Sequence, residues 1–349
     1  MRNPTNHQLP ADSWIDRCHF GDVRVVLNQM IADGVKVNCI VTSPPYWGLR
    51  SYLPSDHSDK SDEIGSEPTL REFLVTMVGV FDLARQVLAD DGTMWVNMGD
   101  CYISKGSGPN SVQAGGTKEE RDKSIRVVDK RPRMGRVEQA NRTTQIGLKP
   151  KDIAGQPWRL VFALQDAGWW LRQDIIWSKS NPMPESMTDR CTKSHEYIFL
   201  LSKSERYYFD QEAIAEPVVS VVKAAHGVGF GHGSDADERS RGRVRDQVKF
   251  SDANVTVPMM RNKRSVWTVP TESYAGAHFA TFPKKLIEPC ILAGCPEGGV
   301  VLDIFFGSGT TGEVAQALGR HFIGVDLDAR NDALQRERLR QPSLMLAAA

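Results

Sequence analysis

Thr42-Ser43-Pro44-Pro45-Tyr46-Trp47 concentrates hydrogen-bond acceptors beside flat rings. Two successive prolines fix φ twice and supply no N–H. The Ser43 hydroxyl and the proline carbonyls therefore dominate the local polar chemistry, and Tyr46 and Trp47 add aromatic surface. An exocyclic amino group on a planar base suits that set: its two N–H donors meet two acceptors and its ring stacks on the tyrosine. The plain alternative for such a segment alone is a Pro-rich turn that packs its aromatics into the core.

A second chemical segment lies near the other end of the chain. Asp303-Ile304-Phe305-Phe306-Gly307-Ser308-Gly309-Thr310-Thr311-Gly312 follows an apolar run and opens a helical pattern. Gly307, Gly309 and Gly312 satisfy G-x-G-x-x-G, where glycines permit a tight turn and close approach of backbone to ligand. Asp326 stands 19 residues after Gly307, at the end of the next apolar run. A carboxylate there can accept hydrogen bonds from ribose hydroxyls. A phosphate-binding P-loop is excluded, because no Gly-Lys-[Ser/Thr] follows the glycines. A nicotinamide site remains open on this motif alone. However, a dinucleotide fold continues with further strand–helix units beyond the acid, and only 23 residues follow Asp326. The remaining strands are expected earlier in the chain, which makes the order permuted, with the cofactor half last.

The elements that must position these segments follow from periodicity. Val37–Val41, Thr93–Met98, Asp174–Trp177, Tyr197–Leu201, Val300–Phe305 and Phe322–Val325 read as strands. Leu70, Phe73, Leu74, Met77, Phe81, Ala84 and Leu88 recur at helical spacing and predict a helix that Asp90-Asp91-Gly92 ends. Trp158–Ala167, Thr311–Leu318 and Ala329–Leu339 read as further helices. Such alternation predicts an α/β fold with a doubly wound, mostly parallel sheet.

Forty-three basic residues balance 43 acidic ones, which excludes a protein that coats an acidic polymer by overall charge. Two stretches break the alternation and are locally basic. Residues 103–151 form an insertion, and its part 117–151 holds 11 Lys/Arg against 5 Asp/Glu. Residues 239–264 carry Arg239, Arg241, Arg243, Arg245, Lys249, Arg261, Lys263 and Arg264. No stretch reads as a spanning helix or a secretory signal, and the six cysteines lack CxxC spacing. The expectation is a reduced, intracellular, soluble protein without a metal site; His195-Glu196 resembles half a zinc motif, but no second histidine follows.

Together these segments resemble the β-class amino-methyltransferases of DNA. The resemblance spans most of the chain: Gly21-Asp22, TSPPYWGLRSY (42–52), LADDGTMWVNMG (88–99), residues 174–203, residues 266–286 and DIFFGSGTTG (303–312). It implies a Rossmann-like methyltransferase fold in permuted order, S-adenosylmethionine as cofactor and duplex DNA as partner. The catalytic domain would comprise 1–204 and 266–349, with a target-recognition region at 205–265. Phe305, Phe306, Gly307, Ser308, Gly309, Thr310 and Thr311, with Asp303 at their head, would line the methionine part of the cofactor and Asp326 its ribose. His278, Phe282 and Pro283 would help enclose it. Ser43, Pro44, Pro45 and Tyr46 would hold the target base. The resemblance further implies a cytoplasmic, nucleoid-associated protein of bacterial or phage origin; it leaves a homodimer and a cognate restriction endonuclease open as partners.

Within this family adenine-N6 enzymes usually carry Asp or Asn where Ser43 stands, whereas cytosine-N4 enzymes usually carry Ser. The form His278-x-Ala280-x-Phe282-Pro283 also resembles the cytosine-N4 variant. The expectation is therefore transfer to cytosine N4, with adenine N6 as the runner-up, a nicotinamide dehydrogenase as the rival from another enzyme class and a DNA-binding module with a vestigial cofactor site as the non-enzyme reading. Ser43 Oγ and the Pro44 carbonyl would accept the two amine hydrogens, localising a lone pair otherwise delocalised into the ring. A carbon-5 methyltransferase instead needs a cysteine nucleophile, often after proline. Pro289-Cys290 is such a dipeptide, but its apolar setting, LIEPCILAGC, predicts core.

Overall fold

The computed structural model describes residues 11–49, 51–54, 56–104, 147–217, 260–272 and 282–340. Its centre is an eight-stranded sheet. The strands are β1 (Arg17–Phe20), β2 (Val37–Thr42), β3 (Leu88–Met98), β4 (Trp170–Ser178), β5 (His195–Ser202), β8 (Val266–Thr268), β9 (Val300–Asp303) and β10 (His321–Asp326). Their spatial order is β1-β10-β9-β2-β3-β5-β4-β8. Only β5 runs against its neighbours, pairing antiparallel with both β3 and β4. The expected doubly wound, mostly parallel sheet is thus present, and the order is permuted: β9, late in the chain, inserts beside β2, early in it.

Side chains of each central strand alternate between two cores, as a period of two requires. Ile40, Met94 and Leu302 face one layer. Cys39, Val41, Trp95 and Val301 face the other. Helices α1 (Val23–Ala32), α2 (Leu70–Val87) and α3 (Gln156–Asp166) cover the first face; α4 (Lys284–Gly294) and α5 (Thr310–Ala317) cover the second. Burial on both faces explains why β2 and β9 are continuous apolar runs. Helix α2 begins with a capping box: Thr69 Oγ1 accepts from Glu72 N at 3.1 Å and Glu72 Oε2 accepts from Thr69 N at 2.9 Å.

Several elements differ from the periodicity reading. Asp90-Asp91-Gly92 does not separate α2 from a strand beginning at Thr93; α2 ends at Val87 and β3 starts at once. The register jumps from Val37 opposite Leu88 to Cys39 opposite Thr93, so these acidic residues sit in a bulge. Ser204 Oγ and Tyr208 N donate to the bulge carbonyls of Asp90 and Asp91, at 2.6 and 2.8 Å. The expected helix Ala329–Leu339 is a 3₁₀ turn at Ala329–Asn331 followed by α6 (Asp332–Arg340). Strand β9 stops at Asp303, two residues before the expected end.

Both basic stretches lie mostly outside the described residues, but their exits are visible. Tyr102 bridges Ile153 in antiparallel fashion at the mouth of the 103–151 insertion. Two short strands, β6 (Glu216–Pro217) and β7 (Met260–Arg261), pair antiparallel at the base of the 205–265 region. Each excursion therefore leaves and re-enters the sheet domain through a closed stem. At the second stem Arg261 and Arg264 both donate to Glu216 Oε1, at 3.0 and 2.7 Å. Among the described residues no helix is long and apolar enough to cross a membrane.

Candidate active site

Strands β9 and β2 are neighbours in the sheet, with Cys39 opposite Val301 and Ile40 opposite Leu302. From β9 the sheet extends to β10 on one side, and from β2 to β3 on the other. Their carboxyl ends therefore meet at a topological switch point, where ligands of open α/β sheets bind. The two chemical segments of the sequence are the loops that leave those two ends. They are tied together: Thr42 Oγ1 donates to Asp303 Oδ1 at 2.7 Å, and Thr311 Oγ1 donates to Asp303 Oδ2 at 2.5 Å. Phe305 N adds a third bond at 3.1 Å. Asp303 is thus engaged as a knot between the loops. Burial pushes its carboxyl up to about 6, against the pull of the Thr311 and Thr42 hydrogen bonds.

In the Ser-Pro-Pro-Tyr turn, Pro44 is buried while Ser43, Pro45 and Tyr46 are half-buried. Trp47 does not belong to the aromatic surface expected from its type. It is 1% exposed and packs in the core, where Gln156 Oε1 accepts from its backbone N–H at 3.0 Å and the Glu67 carbonyl from its indole at 2.9 Å. Adjacent side chains in this extended segment face apart, and only Tyr46 faces the strand ends. Its hydroxyl donates to Glu196 Oε2 at 3.0 Å. Glu196 Oε1 in turn pairs with Lys179 Nζ at 2.5 Å, and Asn97 Nδ2 donates to Oε2 at 3.4 Å. Burial, then the Glu196 charge, pushes the Tyr46 phenol well above its ordinary range; hydrogen bonds from the Ser43 hydroxyl and the Gly99 N–H work against that rise.

The glycine-rich turn is anchored from beneath. Phe306 stacks on Phe322 with ring centroids 5.4 Å apart, and a Cβ on Gly324 would lie 2.5 Å from the Phe306 ring. The ring of Phe306 therefore faces core, and its aromatic type serves the turn's position; Phe305 is half-buried above. Gly307 and Gly309 adopt φ of 53° and 84°, a backbone that favours glycine. The hydroxyls of Ser308 and Thr310 both accept from Arg338 Nη1, the first at 2.7 Å. Gln335 Nε2 donates to the Gly307 carbonyl at 2.7 Å. With those side chains turned inward, the loop presents mainly backbone groups, and α5 starts at Gly309 with no side-chain cap. Asp326 ends β10; it accepts from Asp328 N at 3.0 Å, Asn331 Nδ2 at 2.9 Å and Gln335 Nε2 at 3.1 Å. Three donors leave room on a carboxylate for a further one. Burial pushes this carboxyl up to about 7. Phe282 and Pro283 stand at the start of α4, and His278 lies outside the described residues.

The arrangement suits a ribose-bearing cofactor: a glycine turn, an uncapped helix start and an acid at the adjacent strand end. The base-holding turn opens on the same edge. Glu196, Lys179, Asn331, Gln335 and Arg338 join the site without having been singled out for it from sequence. Glu196 was legible only as half of an incomplete zinc pair. Cys290, by contrast, is where its apolar run put it, 1% exposed inside α4, with burial holding its thiol well above the usual range. Cys290→Ala is expected to keep methyl-transfer activity within about twofold, because a buried, protonated thiol is no nucleophile. Loss of all activity in a folded Cys290→Ala protein would point to carbon-5 chemistry instead.

Comparison with known proteins agrees with this geometry. The fold and site define a nucleoside-cofactor enzyme with a base-binding turn at the switch point. The model of the DNA methylase family, whose members act at N6 or N4, matches residues 37–331, and the chain belongs to that family. It is 41% identical over 319 residues to the type II methyltransferase M.XycI of Xanthomonas campestris pv. cyanopsidis, covering 91% of this chain and 86% of that one. It is 42% identical over 308 residues to the type II methyltransferase M.Cfr9I of Citrobacter freundii, covering 88% and 82%. Among solved structures it resembles PvuII DNA methyltransferase (cytosine-N4-specific) in fold, with a TM-score of 0.54, 16% identity and coverage of 92% and 85%.

Proposed function

We propose that this DNA methylase transfers a methyl group from S-adenosylmethionine to the exocyclic N4 of a cytosine flipped out of duplex DNA. The observation that carries the reading is the Thr42–Asp303 hydrogen bond, 2.7 Å long, which joins the base-holding turn to the glycine-rich turn at one switch point. When bound, the cofactor supplies an electrophilic sulfonium methyl. Asp326 holds its ribose, and the backbone of Gly307–Thr310 receives its amino-acid end. Phe282 and Pro283 lie at the head of α4, with His278 assigned to the same wall from the sequence motif.

Ser43 Oγ and the Pro44 carbonyl accept the amine hydrogens of the target. This draws the nitrogen toward a tetrahedral shape and frees its lone pair for in-line attack. Catalysis is then mainly positioning and charge stabilisation. Stacking on Tyr46 offsets part of the roughly few kcal/mol needed to unstack the base. Ser43, rather than Asp or Asn, and the His278-x-Ala280-x-Phe282-Pro283 form favour cytosine over adenine. Region 205–265 reads the target sequence from its β6–β7 stem, and basic residues of 117–151 and 239–264 follow the phosphates, so binding weakens steeply with salt. Arg261 and Arg264 are the exceptions in that set, since Glu216 already pairs with both.

The test is expression in a methylation-free host, followed by sequencing that separates N4-methylcytosine from N6-methyladenine. N4-methylcytosine at one short site is the expected result. N6-methyladenine would reassign the base, and unmodified DNA from a folded, cofactor-binding protein would remove the reading.

A further inference from the structure

Methyl transfer to an amine leaves a proton to be disposed of, and the base-holding turn contains a hydrogen-bonded route for it. The Tyr46 hydroxyl donates to Glu196 Oε2 at 3.0 Å. On its other side the hydroxyl receives hydrogen bonds from the Ser43 side chain and the Gly99 N–H. The donor directions are consistent: Ser43 Oγ–H points to Tyr46 and Tyr46 Oη–H points to Glu196. That leaves the Ser43 lone pairs for the target amine. Glu196 is held by Lys179 at 2.5 Å and by Asn97 at 3.4 Å. Lys179 is itself fixed, 4.4 Å from the centroid of the Trp177 ring. Close approach depends on Gly99, where a Cβ would lie 3.0 Å from Tyr46 Cε2 and 3.1 Å from Glu196 Cδ.

Other carboxylates near the strand ends are otherwise engaged. Asp303 knots Thr42, Thr311 and the Phe305 N–H. Asp100 accepts from Cys101 N at 2.9 Å and Gln156 N at 3.2 Å. Asp326 lies at the end of β10, two strands away from β2.

We infer that Ser43, Tyr46 and Glu196 form a relay that carries the departing amine proton out of the site, with the Glu196 carboxylate as its acceptor. The inference rests on the proposed placement of the target amine at Ser43. As the N4 lone pair forms its bond to the methyl carbon, the carbon–sulfur bond breaks and its electron pair stays on sulfur. The nitrogen then carries one surplus proton and a positive charge. That proton passes to Ser43 Oγ, the Ser43 proton to Tyr46 Oη and the Tyr46 proton to Glu196. Serine and tyrosine end neutral, the methylated base ends neutral, and the positive charge that entered on sulfur is cancelled at the carboxylate. Glu196 acts through Tyr46 and never touches the base. Tyr46 has a second role beside stacking, one that a phenylalanine in its place cannot perform.

Tyr46→Phe keeps the ring and removes the relay. It is expected to lower the single-turnover methylation rate roughly 100-fold, the usual scale of proton-transfer catalysis, with the KM for DNA unchanged. Glu196→Gln keeps a hydrogen-bond acceptor but no proton acceptor, and should fall by a similar factor. The double variant should be no slower than the slower single one. The solvent deuterium isotope effect gives the readout that a structural role does not move: a curved proton inventory in the unaltered enzyme, linear in Tyr46→Phe. A wild-type rate and an unchanged inventory in Tyr46→Phe overturn the relay, and this variant decides if Glu196→Gln does not fold. Ser43→Ala separates the two levels of the argument. Its inactivity beside a fully active Tyr46→Phe sinks the relay alone, whereas full activity of Ser43→Ala removes the base site and the relay with it.

Discussion

Asp326→Ala is expected to weaken S-adenosylmethionine binding roughly 100-fold while leaving the KM for DNA nearly unchanged. A hydrogen bond to a charged acceptor contributes about 1.5–3 kcal/mol, and a ribose offers two hydroxyl donors. Loss of both is about 3 kcal/mol at the low end, or two decades in affinity. Asn331 Nδ2 and Gln335 Nε2 now fix the carboxylate from below, so its outer edge is set before the ligand arrives. The measurement is calorimetric binding of the cofactor, with turnover at saturating cofactor as control. Unchanged affinity would place the ribose elsewhere.

The same carboxyl predicts a pH dependence. Burial raises it to about 7, so in the free protein it is half-protonated near neutrality. Only the ionised form accepts two ribose hydrogens. Cofactor affinity should therefore fall about tenfold per unit as pH drops below 7 and level off above about 8. In Asp326→Asn this slope should vanish. Folding stability takes the opposite sign. A carboxyl raised by burial favours the native state while it is neutral; that contribution is complete below about pH 4 and is lost as pH rises through about 7. Asp303, raised by burial to about 6, adds to the loss in the same direction. Bound cofactor should flatten the dependence that comes from Asp326.

How much of this was legible depends on which face of an element carried the signal. Strands β2 and β9 are buried on both faces, so each is an apolar run that ends where its functional loop begins. The base-holding turn, the glycine turn and Asp326 follow from that and from the rule that ligands meet parallel strands at their carboxyl ends. Glu196 escapes the same rule because β5 is the antiparallel strand, and the end of β5 beside Met98 and the site is its N-terminal one. Trp47 was misplaced because two adjacent aromatics do not reveal which ring faces inward. Helix α1 had a readable signal, with Asp22 as cap and Val23, Val26, Leu27 and Met30 at helical spacing. Helix α4 was obscured by Pro289 in its interior, which reads as a break. The polar residues of α6 looked solvent-facing by type; Gln335 and Arg338 are 2% and 7% exposed because hydrogen bonds to the glycine turn satisfy them.

Arg338 supports the last expectation. Its guanidinium donates to both Ser308 and Thr310 hydroxyls and lies 3.5 Å from Glu313 Oε2, while Glu313 also meets Lys284 at the start of α4. A planar group with five donors can hold three acceptors at once, which lysine cannot copy. One buried cation thus ties α6 to the glycine turn and to α5, and Glu313 carries the tie to α4. Arg338→Ala is expected to lower stability by about 3 kcal/mol, because removing one partner of a buried pair strands the other. In a chain of this size that is roughly a 6–12 °C fall in Tm. The turn should also lose its preset shape, so cofactor affinity should fall about tenfold while DNA affinity holds. Arg338→Lys should recover part of the stability but little of the affinity. A lower Tm with cofactor binding intact would make Arg338 a brace for the helices alone. A parallel loss of both shows that the cofactor loop is held in its binding shape from the C-terminal helix, through hydroxyls that the glycine motif itself supplies.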